Sequence, residues 1–188
     1  MHNPTDAELL LEIQLGSHAD FAKLVERHHQ RFYRLAFRYL NQKELAEDVV
    51  QEAFIQLWEN PQRYQPEKSQ FTTWFYRIVI NKCLDAQKRK KPLFLQNEDD
   101  FSDEHQLKQA QSLIEAEQKT WLENAIFKLP KAQQTALNLC FMDELSNQQA
   151  ATIMGLSLKA LQSLIMRAKT KLKKQYQTDM DKHHETRH

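Results

Sequence analysis

Apolar residues recur at three- and four-residue steps along most of the chain, which is the period of an amphipathic helix. Thr5-Asp6-Ala7-Glu8 matches a capping box and leads into Leu9, Leu10 and Ile13. A second helix is predicted through Phe21, Leu24, Val25, His28, Phe32, Leu35, Ala36, Tyr39 and Leu40. A third places Ala46, Val49, Val50, Ala53, Phe54, Leu57 and Trp58 on one stripe and ends at Asn60-Pro61. Residues 61–69 read as a polar loop. A fourth helix then sets Phe71, Trp74, Phe75, Ile78, Val79 and Ala86 on one face. It closes on Lys88-Arg89-Lys90-Lys91, where cations favour a helix C-terminus, and Pro92 stops it. These four helices suffice for a compact N-terminal domain over residues 1–92.

The pattern lapses over residues 93–112, where Gln96-Asn97-Glu98-Asp99-Asp100 and Ser102-Asp103-Glu104 predict an acidic linker. Helical period returns at Leu113 and continues through Leu122, Ala125, Ile126 and Leu129. Pro130 opens the next helix, with Leu137, Cys140 and Phe141 directed inward. Ser146-Asn147-Gln148-Gln149 is a second capping box, starting a short helix that Gly155 breaks. Ser157 caps a last helix with Leu158, Leu161, Ile165, Ala168 and Leu172 inward. Residues 113–176 thus form a second domain, and the polar residues 177–188 read as a disordered tail. The expected fold is all-α: two small helical domains joined by an acidic linker.

Composition narrows the class. The 188 residues include only 2 Gly and 5 Pro, too few for a barrel, a sandwich or a Gly-rich phosphate loop. No apolar run approaches the roughly 20 residues that span a bilayer, and the N-terminus shows no secretory pattern. Cys83 and Cys140 are the only cysteines and form no C-x-x-C pair, which fits a reducing cytoplasm. The net charge of +1 conceals segregation. Residues 1–60, 61–92, 93–127 and 128–188 carry −4, +6, −6 and +5. Two basic blocks separated by an acidic one suit a polyanion met at two places, although solvated helix faces produce the same pattern.

The segment from Asn147 to Lys174 has helix-turn-helix grammar. Ala151 is small where two helices cross, Gly155 suits a tight turn, and Leu161 and Leu164 offer aliphatic anchors. Ser157, Lys159, Ala160, Gln162 and Ser163 lie on the early turns that enter a major groove in such motifs. Arg167, Lys169, Lys171, Lys173 and Lys174 continue as a basic track for phosphates. The fourth helix carries a second stripe, Thr73, Arg77, Asn81, Asp85 and Lys88, with Arg89 after it. Beside it stand the aromatics Phe71, Trp74 and Tyr76, and the preceding loop adds Arg63, Tyr64 and Lys68. Cations track a nucleic-acid backbone while rings stack on unpaired bases at about 1–3 kcal/mol per base. The same aromatics also suit a plain core, and Trp74 fits both roles. The third helix is acidic outside, through Glu47, Asp48, Gln51, Glu52, Gln56 and Glu59. That surface repels nucleic acid and is either a protein-binding face or a solvated one.

Taken together these residues resemble a bacterial RNA polymerase sigma factor of the extracytoplasmic-function (ECF) type, within the sigma-70 family. The resemblance covers residues 18–92 and 113–176. It rests on Tyr33-Arg34-Leu35-Ala36, on Ala46-Glu47-Asp48-Val49-Val50-Gln51-Glu52-Ala53-Phe54, and on the run from Phe71 to Asn81. In the C-terminal part it rests on Leu129-Pro130 and on Glu144-Leu145-Ser146 through Arg167-Ala168-Lys169. It implies that Asp48, Gln51 and Glu52 dock on the clamp coiled coil of the polymerase beta-prime subunit. It implies that the helix from Phe71 and the loop before it bind the minus-ten element, with Asn81 near an extruded base. The C-terminal helix-turn-helix would read the minus-thirty-five element and touch the beta flap. An external anti-sigma factor is expected as regulator, with no cofactor. The chain departs from the family at Leu164, where many relatives carry Arg, and in the loop Pro66-Glu67-Lys68-Ser69-Gln70, which lacks a frequent Gly.

Two rivals have their own signatures. An enzyme would need a site, but His28-His29 and the tail residues His183, His184 and His188 lack companion ligands, and no nucleophile elbow is present. A stand-alone helix-turn-helix regulator with a ligand- or partner-sensing N-terminal domain would bind duplex DNA tightly without polymerase.

Overall fold

The computed structural model describes residues 3–90 and 110–185, and the predicted linker over 93–112 lies largely outside them. Every regular element among the described residues is helical. In chain order they are α1 (Asp6–Gln14), α2 (His18–Leu40), α3 (Lys43–Glu59), α4 (Phe71–Lys90), α5 (Ala110–Phe127), α6 (Lys131–Leu137), α7 (Asn147–Met154) and α8 (Leu158–Glu185). The chain divides into two compact units. One contains α1–α4 together with Thr152–Gly155 at the end of α7; the other contains α5, α6, α8 and the start of α7.

In the N-terminal unit local chemistry sets the helix ends. The Glu8 N–H donates to the Thr5 hydroxyl at 3.3 Å, and the Thr5 N–H donates to the Glu8 carboxylate at 2.7 Å, completing the capping box of α1. Gly16 then takes φ +91°, and the N–H groups of Gly16 and Ser17 close back on the carbonyls of Ile13 and Glu12. This is the two-bond closure that a left-handed residue permits after a helix. Ser17 caps α2 by accepting the Asp20 N–H. The Ser17 hydroxyl, and then Lys23, hold the Asp20 carboxyl below its usual range. Asn41, also left-handed at φ 51°, ends α2.

The core of this unit is aromatic. Phe32 of α2 meets Phe75 edge-on at 4.7 Å and Tyr76 at 5.0 Å, while Phe54 of α3 lies 4.7 Å from Phe75. Such pairs contribute about 0.5–1.5 kcal/mol each beyond their buried area. Leu9, Leu10 and Ile13 of α1 are buried as the pattern requires. The loop of residues 61–69 is more ordered than its polarity suggests. Pro61–Arg63 form a 3-10 turn, and Tyr64 is buried against Phe71 and Trp74.

In the C-terminal unit α6 and α8 pack together, with Leu137 and Leu139 on one side and Leu161, Ala168 and Leu172 on the other. Several expectations change here. Leu158, expected inward, is exposed, because the buried stripe of α8 begins only at Leu161. Phe141 is half exposed instead of inward. The chain after α6 forms a π-helical turn, Asn138–Met142, whose wider winding advances the register and swings Phe141 out. The expected disordered tail from Gln177 is also corrected, because α8 runs to Glu185. A tertiary contact holds it. The Trp121 indole donates to Asp179 at 2.9 Å, and its ring meets Tyr176 edge-on at 5.0 Å. Helical order likewise begins at Ala110, ahead of Leu113.

The two thiols differ. Burial pushes Cys83 up to about 12, while Cys140, half-buried, is raised by a smaller burial. A thiol kept neutral by folding adds stability that is complete below the unfolded value of about 8.5 and is lost as pH rises above it. Thiol titration of the native protein is therefore expected to label Cys140 first, and Cys83 only on unfolding. Equal labelling rates would contradict this placement.

Candidate nucleic-acid interface

The helix period that buries Phe71, Phe75, Tyr76, Val79 and Cys83 on one side of α4 turns the stripe beginning at Thr73 the other way. Arg77, Asn81, Asp85, Lys88 and Arg89 are exposed and Thr73 is half-buried. Arg63 and Lys68 are exposed in the loop before it. The Arg77 guanidinium is engaged, donating to the main-chain carbonyls of Ile153 at 3.1 Å and of Thr152; the other side chains share one solvent-facing region running from the loop along α4. Within it Lys88 donates to Asp85 at 2.9 Å. That hydrogen bond, with the charges of Lys88, Arg89 and Lys82, holds the Asp85 carboxyl below its usual range. The acidic residue is thus neutralised by its own neighbours.

The aromatic set is smaller than the sequence suggested. Phe71, Tyr76 and Tyr64 are buried, because each fills the space between α4 and its neighbours. Trp74 alone of the four is half exposed, lying 5.6 Å from Tyr64 and 6.2 Å from Phe75. Its ring packs against Tyr64, Phe71 and Phe75 yet stays partly open to solvent.

On α3 the residues Asp48, Gln51 and Glu52 stand at i, i+3 and i+4 and are all exposed, forming one acidic ridge. Glu52 pairs with Lys82 of α4 at 3.1 Å. Beside the ridge lies a groove of about 430 Å³ lined by Phe21, Val25, His29, Glu47, Gln51, Phe54 and Ile55. Ile55 is 46% exposed and His29 hydrogen-bonds Glu47 at 3.0 Å. Sequence reading treated this helix as apolar inside and acidic outside, and so missed the groove. Its only signal was Ile55, an apolar residue out of phase with the Val50-Phe54-Leu57 stripe.

The helix-turn-helix is assembled by hydrogen bonds that the sequence foretold. The Ser146 N–H donates to the Gln149 amide oxygen at 3.0 Å, and the Gln149 N–H donates to the Ser146 hydroxyl at 3.2 Å. Gly155 takes φ +66°, and the N–H groups of Gly155 and Leu156 return to the carbonyls of Thr152 and Ala151. Ser157 then accepts the Ala160 N–H at 3.2 Å and starts α8. Ser157, Lys159, Gln162, Arg167, Lys169 and Lys171 are exposed, with Ala160 and Ser163 half-buried. They do not form one track. Lys169 and Lys171 point about 200° apart around the helix. The Lys169 ammonium sits 4.5 Å above the Phe141 ring, placed there by the π-helical turn. Of the two aliphatic anchors Leu161 is fully buried, whereas Leu164 is half-buried. Met166, 64% exposed, stands amid Lys159, Ser163 and Thr170 at helical spacing, and sequence reading passed over it.

Among the described residues no cluster of three metal-ligating side chains occurs, and no helix is long and apolar enough to cross a membrane. His28 is buried and bonded to Asp6.

Residues 24–92 match the family model of sigma-70 region 2, and residues 119–172 match that of sigma-70 region 4. The chain is 30% identical to the RNA polymerase sigma-H factor of Pseudomonas aeruginosa, over 92% of this chain and 94% of that one. It is also 30% identical to the ECF sigma-E factor of Escherichia coli, over 88% and 91%. In fold it resembles CnrH, solved with the cytosolic domain of CnrY, at a TM-score of 0.67 and 24% identity over 91% and 96% of the two chains. It also resembles RpoE of Bartonella quintana, solved with the anti-sigma factor NepR, at 0.65 and 18% over 85% and 98%. Likeness of this extent, spanning both conserved regions in their order, means that the chain belongs to the ECF sigma factors of the sigma-70 family.

Proposed function

We propose that this sigma factor divides its work among three surfaces, each supplied by one helix and its flank. Core RNA polymerase carries the synthesis, and the sigma factor directs it to promoters. The acidic α3 ridge of Asp48, Gln51 and Glu52 docks on the beta-prime clamp. Its charge keeps DNA off the surface that must meet protein. The α4 row takes the minus-ten element. Arg63, Lys68, Arg77, Lys88 and Arg89 hold phosphates of the separating strands, the exposed edge of Trp74 stacks on an unpaired base, and Thr73 and Asn81 hydrogen-bond base edges. Ion pairs such as Lys88–Asp85 lie in open solvent and contribute little, so phosphate displaces them easily. The single observation that supports this reading best is that Asn81, Lys88 and Arg89 are exposed on the helix whose other face is locked in the aromatic core; Arg77 joins them once phosphate replaces its bonds to the Thr152 and Ile153 carbonyls.

The start of α8 reads the minus-thirty-five element in the major groove through Ser157, Lys159, Ala160, Gln162 and Ser163. Arg167 and Lys171 hold the backbone on one flank. Lys169, resting on Phe141, approaches the opposite flank, and the beta flap binds this domain as well. The protein works in the cytoplasm, without cofactor or catalytic activity of its own. An anti-sigma factor covers these surfaces until a signal releases them, in keeping with the partner in the RpoE structure from Bartonella quintana.

Transcription in vitro, with purified core polymerase and promoters selected from genomic fragments, tests the reading. Promoter-specific initiation that depends on the added protein is expected. Tight duplex binding by the protein alone, with no initiation, would establish a stand-alone regulator instead. In that assay Asn81→Ala is expected to lower open-complex formation while leaving core affinity unchanged; equal loss of both would make Asn81 a structural residue. Lys171→Ala is expected to weaken promoter binding by the holoenzyme uniformly across sequences and to reduce the salt slope by about one. A change in base preference would remove Lys171 from the phosphate contacts.

A further inference from the structure

Helix α1 lies wholly before the residues matched to region 2, which begin at 24. It is nonetheless tied to the minus-ten surface by a continuous set of contacts. The Asp6 carboxylate receives Arg27 at 2.7 Å on one oxygen and the His28 Nε2 at 2.8 Å on the other. Arg27 also donates to the Asn3 side chain at 3.0 Å and to the Pro4 carbonyl at 2.8 Å. His28 is only 6% exposed, and its ring lies 5.2 Å from Phe71, the first residue of α4. Phe71 meets Tyr64 at 6.0 Å, and both border Trp74. Tyr64 and Phe71 are the buried ends of the loop carrying Lys68. Burial raises the Tyr64 hydroxyl, and the next largest influence is the charge of Asp6, so the carboxylate's field reaches the loop anchor.

Holding α1 in place does not require His28. Leu9, Leu10 and Ile13 are buried, and Arg27 already binds the N-terminal turn at the rim. A pair with one buried partner, as His28 is here against the half-buried Asp6, is also a poor source of stability, because desolvation of the imidazole offsets much of the attraction. What such a pair supplies is direction. The hydrogen bond fixes the imidazole plane, which is the wall against which Phe71 packs. We propose that Asp6 and His28 are positioning residues for promoter melting: they set the Phe71–Tyr64 pair, and through it the pose of Trp74 and of the Lys68 loop toward the minus-ten strand. This inference rests on the minus-ten reading above.

The test is a selection with holoenzyme, formed from the full chain and core polymerase, on a promoter library randomised over the minus-ten segment. Asp6→Ala is expected to bind core as the wild type does, while base enrichment at minus-ten positions falls by about tenfold, the size of one lost charge-assisted hydrogen bond. Asp6→Asn, which keeps an acceptor for His28, is expected to restore most of the enrichment. Thr5→Ala weakens the α1 cap but leaves the pair intact, and is expected to keep wild-type enrichment. Unchanged enrichment in Asp6→Ala overturns the inference. So does a loss matched by Thr5→Ala or by loss of core affinity, either of which would mark a purely structural helix. If Asp6→Ala does not fold, His28→Gln takes its place, and wild-type enrichment there overturns the inference equally. Asn81→Ala in the same selection separates the two levels. A loss there without a loss in Asp6→Ala rejects this inference alone, whereas a loss in neither rejects the minus-ten reading itself.

Discussion

A helix can offer a rigid reading face only if its opposite face cannot move, and in this protein that condition is met by ring packing around Phe75. Phe32 from α2, Phe54 from α3 and Phe71 from α4 all lie within about 5 Å of it. Aromatic side chains bring much area and few rotamers, so the entropy lost in ordering them is small for the surface they bury. Because α4 is locked at several successive turns, Asn81 inherits a fixed direction from residues it never touches. The proposed capture of an unpaired base would demand this. A side chain that had to be ordered at the moment of melting would spend binding energy on itself.

The charges divide in a complementary way. The acidic ridge of α3 and the cationic row of α4 lie on adjoining helices, and Glu52–Lys82 bridges them. Lys88–Asp85 and Lys169–Phe141 likewise give cations a modest internal partner. Exposed pairs of this kind add little to stability and are screened by salt. In the proposed role such pairs would keep cationic side chains extended while remaining weak enough for phosphate to replace them. The overall charge near zero is thus the sum of strong local fields of opposite sign, one suited to a protein partner and the other to DNA.

Local chemistry was highly legible in the chain. Both capping boxes, the left-handed glycine at 155, the Ser157 cap and the apolar stripes of α2 and α3 are consequences of residues within a few positions of one another. A single sequence states these in full. The motifs of the two sigma regions were legible for the same reason, being contiguous stretches with defined internal spacing.

What remained hidden depends on residues far apart. Periodicity ranks Phe71, Trp74, Tyr76 and Tyr64 alike as ring-bearing neighbours. Only packing against Phe32 and Phe75 decides that Trp74 keeps an outward edge while the others are enclosed. The tail looked unstructured because its residues are polar, and spacing alone does not show that Trp121, more than fifty positions earlier, bonds Asp179 within it. Phe141 was assigned to the interior by counting α-helical turns, and a π-helical turn changed the count. The sequence by itself therefore determined the capped helix starts and the turns at Gly16 and Gly155, since hydrogen bonds there are made between near neighbours, but not the end of α8 or the π-helical turn after α6. The tertiary structure alone decided which of several equivalent side chains faces water, because that choice belongs to whichever distant residue fills the space beside it.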